Sequence, residues 1–240
     1  MAKRVLITGG SRGIGAATVA RFYERGWQVA FCYHSHHEEA ERLQQQYPGI
    51  IGICADISDA KQVAELFERA VVQMGGLDAL VCNAGVALPQ KLLTDISEDE
   101  YNYVMNVNVK GTLLCCQQAA KYMVAAHRGA IVSLSSIWGE KGGSCETVYS
   151  ASKGAIIAFS KALAKELGPS GIRVNCVCPG VIDTQMNAHL SAEDKQNLAD
   201  ETALMRLGTA REVADVIEFL CSDRAGYITA QTIGVDGGIW

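Results

Sequence analysis

The sequence predicts an α/β fold, a single doubly wound domain with a seven-stranded parallel sheet and helices on both faces. Three observations predict it. Seven short apolar runs alternate with longer segments of helical periodicity, and parallel strands need crossover connections of that kind. The runs lack the polar alternation of a half-exposed strand, so each reads as buried on both faces. A glycine-rich turn, Thr8-Gly9-Gly10-Ser11-Arg12-Gly13-Ile14-Gly15, joins the first run to the first helical segment.

Taken in order, Val5–Thr8 is the first strand and Ile14–Glu24 the helix that returns from it. Strand Gln28–Tyr33 precedes helix Glu38–Gln46, and strand Ile50–Cys54 precedes helix Asp59–Met74. Strand Ala79–Cys82 leads to one long helix, Glu98–Met123, and strand Ala130–Leu134 leads to helix Tyr149–Leu167. Strand Arg173–Cys178, helix Arg211–Leu220 and strand Thr232–Val235 complete the series. Asp59 and Ser97 stand where helix N-caps are wanted. Residues 180–208 break the rhythm with a polar, helix-prone insertion around Ser191–Lys195, read as a lid over about 181–208. No repeat or low-complexity linker divides the chain, so 1–240 reads as one Rossmann-type domain. Residues 1–125 would mainly bind cofactor, and 126–240 would supply most of the chemistry.

Composition bounds the function. The chain has 240 residues, 49% hydrophobic and 20% charged, too apolar for a disordered chain. A net charge of −5 argues against a nucleic-acid-binding surface. The N-terminus, Met1 to Thr8, holds too short an apolar run for a signal-peptide core, and no later stretch is long enough to cross a bilayer. Nine cysteines, odd in number and without a CxxC pair, read as reduced core residues of a cytoplasmic protein.

The glycine turn is where a dinucleotide would lie. Glycine lets backbone amides approach a pyrophosphate, and the helix N-terminus favours its charge. A carboxylate at the end of the second strand would repel an adenosine 2′-phosphate. None occurs from Gln28 to His37, where Cys32-Tyr33-His34-Ser35-His36-His37 stands instead. With Arg12 as the cation and His34 and Ser35 beside it, NADPH is favoured over NADH. The histidine cluster has no identifiable second ligand group, so no metal is expected.

At the other end, Tyr149-Ser150-Ala151-Ser152-Lys153 sets a phenol and an ammonium four residues apart on one helix face. A tyrosine, with its pKa of about 10, works as a proton donor when a cation stabilises its phenolate. Upstream, the strand Ala130–Leu134 runs into Ser135 and Ser136. Either hydroxyl could hold a carbonyl oxygen, or both could cap the turn.

These residues together resemble the short-chain dehydrogenase/reductase family over essentially the full length. The resemblance rests on the TGxxxGxG loop, Asp56, Asn83-Ala84-Gly85, Asn108, Ser136, Tyr149 and Lys153, then Pro179-Gly180 with Thr184, and Asp236-Gly237-Gly238. It implies that Tyr149 protonates the substrate oxygen, Lys153 lowers its pKa and holds the nicotinamide ribose, Ser136 polarises the carbonyl, and Asn108 orders a water. It implies cofactor contacts from Gly9, Ser11, Arg12, Gly13, Ile14 and Gly15, from His34, Ser35, Asp56 and Ile57, from Asn83–Gly85, and from Pro179, Gly180, Ile182 and Thr184 besides Tyr149 and Lys153. Asn108 also reads as a helix-interior residue bonded to backbone, and Asp56 as a cap of the next helix. The family resemblance further implies a homotetramer.

The sequence is similar throughout to 3-oxoacyl-acyl-carrier-protein reductases. Their two carrier-docking arginines fall here at Ala130 and Ser170, with Arg128 and Arg173 nearby. The loop Ser135-Ser136-Ile137-Trp138-Gly139-Glu140, with Gly143-Ser144-Cys145-Glu146, is similar to reductases of 5-aminopentanone-modified elongation factor P. That likeness implies a substrate pocket of Trp138, Cys145, Glu146 and Met186, in which Glu146 and Glu140 could face a substrate ammonium or stay solvated. A 3-oxoacyl-carrier reductase is the alternative. A small-molecule alcohol or sterol dehydrogenase and a non-enzymatic nucleotide sensor are the further ones.

Overall fold

The computed structural model describes residues 2–187 and 190–239. Its main sheet has seven parallel strands. The first three are β1 (Arg4–Thr8), β2 (Gln28–Tyr33) and β3 (Ile51–Cys54), linked by α1 (Gly13–Glu24) and α2 (His37–Gln46). Helix α3 (Ala60–Met74) then carries the chain back to β4 (Ala79–Cys82), which pairs with the other side of β1. From there the chain winds outward, and the reversal opens a crevice above the ends of β1 and β4.

The predicted helix Glu98–Met123 is three pieces. Helix α4 (Glu98–Met105) meets α5 (Gly111–Ala126) through one π turn, Asn106–Lys110. A π turn leaves a backbone carbonyl short of its usual partner, and Thr112 Oγ1 donates to Asn108 O at 2.7 Å. Strand β5 (Gly129–Leu134) follows, then α6 (Ile137–Lys141), a five-residue helix absent from the sequence reading. Helix α7 (Thr147–Leu167) and β6 (Ile172–Pro179) come next. The lid segment holds β7 (Ile182–Asp183), α8 (Ala192–Asp200) and β8 (Gly208–Thr209), the two short strands pairing in parallel. Helix α9 (Ala210–Cys221) and β9 (Thr232–Val235) close the sheet, whose strand order is β3-β2-β1-β4-β5-β6-β9.

Two cores follow from the period of two along the strands. Leu6, Leu80, Ile131 and Val174 pack with α3, α5 and α7 on one face. Val5, Ile7, Val81 and Val132 pack with α1, α2 and α9 on the other. The expectation of double-faced burial fails at the sheet edges, where Cys54 of β3 and Gly234 of β9 are exposed. An edge strand has only one flanking neighbour, so its apolar composition does not ensure burial. Asp59 caps α3 through Lys61 N and Gln62 N, and Ser97 forms a capping box with Glu100 on α4, as their positions predicted. Among the described residues no helix is long and apolar enough to cross a membrane. The terminal Trp240 lies outside the described residues, as does the side chain of Met186.

Candidate active site

A cleft of about 580 Å³ lies at the carboxyl ends of β1, β4, β5 and β6. Its cofactor end is built by close approach. Gly9 has φ +64°, and a Cβ there would lie 2.8 Å from Ala84 Cα; at Gly15 it would lie 2.0 Å from Gly9 O. Only glycine fits either position. Thr8 Oγ1 accepts from Asn83 N and Ala84 N, both at 3.1 Å. Asn83 Nδ2 donates to Thr8 O at 3.0 Å and Gly9 O at 2.9 Å, bracing the turn from below. No side chain caps the start of α1, so its first amides remain a site for an anion. Arg12, His34 and Ser35 line the same end of the cleft. Asp56 Oδ1 accepts from Ser58 N at 2.8 Å. With α3 capped by Asp59, Asp56 is left as a wall residue.

At the other end, Lys153 is only 5% exposed, and its Nζ donates to Leu134 O at 2.8 Å. Burial brings its pKa down to about 8. The ammonium stands 5.7 Å from the centre of the Tyr149 ring. Burial pushes the Tyr149 phenol up to about 12; the Ser136 hydroxyl draws it back, and the Glu146 charge pushes it further up. Near neutrality the phenol therefore holds its proton, as a donor to a substrate oxygen must. Ser136 Oγ accepts from Trp138 N at 3.2 Å and so caps α6. The choice between the serines is made by Ser135, whose hydroxyl donates to Lys153 O at 2.8 Å. Ser136 is left facing the phenol.

Asn108 lies one layer behind. Its Oδ1 accepts from Val86 N at 2.8 Å, and its Nδ2 donates to Val86 O at 2.9 Å and Ser152 Oγ at 3.0 Å. Ser152 Oγ donates in turn to Tyr149 O at 2.7 Å. Asn108 is thus bonded to backbone, as its residue type suggested, and also joined through Ser152 to the helix bearing the tyrosine. The sequence reading missed Ser152, although its place three residues after Tyr149 sets it on the tyrosine's side of α7, where it is fully buried. It also missed His36, Tyr103 and Asn106, which line the cleft.

The glycine-loop, Asp56–Ile57, Asn83–Gly85, Ser136, Tyr149, Lys153, Pro179–Gly180, Ile182 and Thr184 positions all meet in this one cleft. Cys145 and Glu146 line a smaller hollow beside Tyr149, with Leu88, Pro89 and Ile96. Trp138 lines neither and lies against Gly143, where an added Cβ would meet its ring at 3.1 Å. Cys145 has φ +60°, a left-handed turn that sets the direction of the loop into Glu146. Glu146 is half-buried, its pKa raised by burial, and its hydrogen-bond partner is the neutral Gln90 side chain. Glu140 is exposed. Among the described residues no cluster of three or more His, Cys, Asp or Glu side chains is placed to hold a metal.

A family model described as enoyl-(acyl carrier protein) reductase matches residues 9–239. The chain is 38% identical over 244 residues to the 3-oxoacyl-acyl-carrier-protein reductase FabG of Staphylococcus aureus, covering 100% of this chain and 99% of that protein. It is also 38% identical over 242 residues to the uncharacterized oxidoreductase YmfI of Bacillus subtilis, covering 99% of each. Among solved structures, a mutant short-chain dehydrogenase/reductase of Serratia marcescens superposes with TM-score 0.91 at 34% identity, over 98% of this chain and 97% of that one. ElxO with NADP bound superposes with TM-score 0.91 at 33% identity, over 99% and 98%.

Proposed function

We propose that this chain, which belongs to the short-chain dehydrogenase/reductase family, reduces an amine-bearing ketone, the 5-aminopentanone carried by modified elongation factor P. It is an NADP(H)-dependent oxidoreductase. The glycine loop, Asn83–Gly85 and Thr184 would hold the dinucleotide, with Arg12, His34 and Ser35 at its 2′-phosphate. NADPH supplies hydride when bound. Tyr149 gives its proton to the carbonyl oxygen, Ser136 donates a hydrogen bond to that oxygen, and Lys153 steadies the phenolate left behind. The products balance as one secondary alcohol and one oxidised dinucleotide. Residues 1–125 mainly hold the dinucleotide, and 126–240 act on the ketone under a lid of 181–208.

One observation carries the substrate. Glu146 is a half-buried carboxylate beside the proton donor, and its hydrogen-bond partner is neutral. A substrate ammonium would complete it with a charge-assisted hydrogen bond, whereas an acyl chain would leave it desolvated for nothing. A 3-oxoacyl carrier thioester is the second reading, favoured by the FabG relatives. Against it, Arg173 is spent inside the fold, donating to Leu220 O at 2.7 Å and Ser222 O at 3.1 Å. Arg128 pairs with Asp78 but stays 66% exposed, so of these two arginines it is the one that a carrier could still reach. Nine free thiols fit a reducing, cytoplasmic setting. Leu113 and Val124, exposed on α5, fit a homotetramer.

The test follows NADPH oxidation with the modified factor and with acetoacetyl carrier substrates, NADH as control. The Glu146→Gln variant should lose about tenfold or more in kcat/KM for the aminoketone, the scale of a hydrogen bond to a charged group. A neutral ketone of the same size should be unaffected. Equal loss on both ketones, or on neither, would refute the assignment.

A further inference from the structure

We propose that the mouth of the substrate pocket is a docking surface for a basic protein surface that carries the ketone on one of its side chains. The inference rests on the reading above and adds the partner's chemistry to it. Three segments frame the mouth. Residues 86–100 and 137–147 are joined where Lys91 N donates to Cys145 O at 3.2 Å, and both border the hollow beside Tyr149. The lid, 181–208, enters the cleft at Ile182 and Thr184. Its far end is fastened by Leu204 N donating to Gly237 O at 3.1 Å, and Lys141 Nζ ties α6 to the same tail through Ile239 O at 2.5 Å.

Two properties mark this frame. Leu92 and Leu93 on one segment are 62% and 64% exposed, and Leu204 and Met205 on the lid are 61% and 62% exposed. Large apolar side chains held outward at the rim of a reaction cleft form the apolar part of an interface. The second property is charge. The three segments contain eleven carboxylates and four cations, a net of −7, where the whole chain has −5. Each cation is already engaged: Lys91 by Glu100, Lys195 by Asp183, Arg206 by Glu212, and Lys141 by the Ile239 carbonyl. Asp95, Glu98 and Asp99 are exposed on the first segment, and Glu193, Asp200 and Glu201 on the lid.

The charge selects the occupant. An acidic carrier would meet like charges on both sides of the mouth, at a cost to encounter and affinity. A basic protein surface would be steered toward it, with an association rate that falls as salt rises. The apolar side chains would be covered once the ketone side chain is seated. Steering grows with the charge of what approaches, so a free aminoketone with a single ammonium gains less from it than a surface carrying several cations.

The experiment uses the full-length enzyme and two lysine peptides carrying the same aminoketone, one flanked by Lys and Arg, the other by Asp and Glu. The free aminoketone is the control. At about 0.01 M salt, where the Debye length is about 30 Å, kcat/KM should favour the basic peptide by about tenfold, and the gap should narrow at about 0.1 M. A variant with Asp95→Asn, Glu98→Gln and Asp99→Asn should lose most of the gap while turnover of the singly charged free aminoketone changes far less. Leu92→Ser with Leu93→Ser should raise KM for the basic peptide alone. Equal turnover of the two peptides at low salt, or a gap that survives the neutralised variant, would overturn the docking surface and leave the aminoketone reading standing. Failure to reduce the free aminoketone would overturn that reading, and docking with it.

Discussion

Replacing Lys153 by Met should make the protein more stable while removing its turnover. The lysine is 5% exposed, and burial brings its pKa from 10.5 to about 8. At about 1.4 kcal/mol per pKa unit, keeping the buried group charged costs about 3 kcal/mol at neutral pH. Methionine removes that cost but also the hydrogen bond from Nζ to Leu134 O at 2.8 Å, worth about 2 kcal/mol because its donor is charged. The variant should therefore be about 1 kcal/mol more stable at pH 7. The pH dependence has a definite sign. Below about 8 the lysine is protonated in both folded and unfolded chains, and the full cost is present. Between about 8 and 10.5 the folded chain has released the proton and the unfolded chain still holds it, so wild-type stability rises with pH. The variant's advantage shrinks across that window and is gone above it. Urea denaturation of both proteins at pH 7 and at the top of the window, with equal m-values, measures this. A variant less stable than wild type at pH 7, or a difference independent of pH, would refute the reasoning. Turnover should fall by about 10²–10⁴, the contribution of a positioned proton-transfer system.

Ser152→Ala should cost about 1–3 kcal/mol, because it leaves one buried Asn108 N–H without an acceptor, and should lower kcat while KM for NADPH holds; denaturation and steady-state kinetics read the two effects. Arg12→Ser should raise KM for NADPH by about tenfold and leave that for NADH unchanged, since only the former presents a 2′-phosphate to the cation; parallel titrations of the two cofactors check it.

The seven strands and their parallel direction were legible because buried parallel strands are written as continuous apolar runs, and the helices between them are long enough to show their period. The π turn at Asn106–Lys110 was not. Its residues are helix-compatible one by one, and what opens the helix is the set of bonds Asn108 makes to Val86 and Ser152, 22 and 44 residues away. Helix α6 is five residues long, too short to establish a period. The same limit hid β7 and β8, two residues each. Tyr149, Lys153 and the glycine loop were legible as residue types at fixed spacing along one element. The division of labour between Ser135 and Ser136 was not, since adjacent hydroxyls at a strand end are told apart only by where Lys153 O lies.

The reaction and its substrate differ in legibility for the same physical reason. Lys153, Asn108, Ser152, Ser135 and Ser136 are polar groups between 0% and 8% exposed, and a buried polar group requires a specific partner. Each therefore constrains others, and the constellation is recognisable from few residues. The segments at the pocket mouth are exposed and held by loop contacts, so almost any polar residue is tolerated there without loss of the fold. Glu146 is the exception. It belongs to the mouth by position and to the buried site by environment, half-buried with a neutral partner. A carboxylate that could have stayed in water at little cost is retained beside the proton donor, where its charge raises the Tyr149 pKa. An ammonium seated on it would cancel that charge and draw the phenol's pKa back down as the substrate arrives. The pH profile should record this: in wild type the upper limb of kcat/KM follows the free enzyme, and the corresponding limb of kcat lies at lower pH with the aminoketone than with a neutral ketone. In Glu146→Gln the two ketones should give the same limb, and a separation that persisted there would place the amine on some other group.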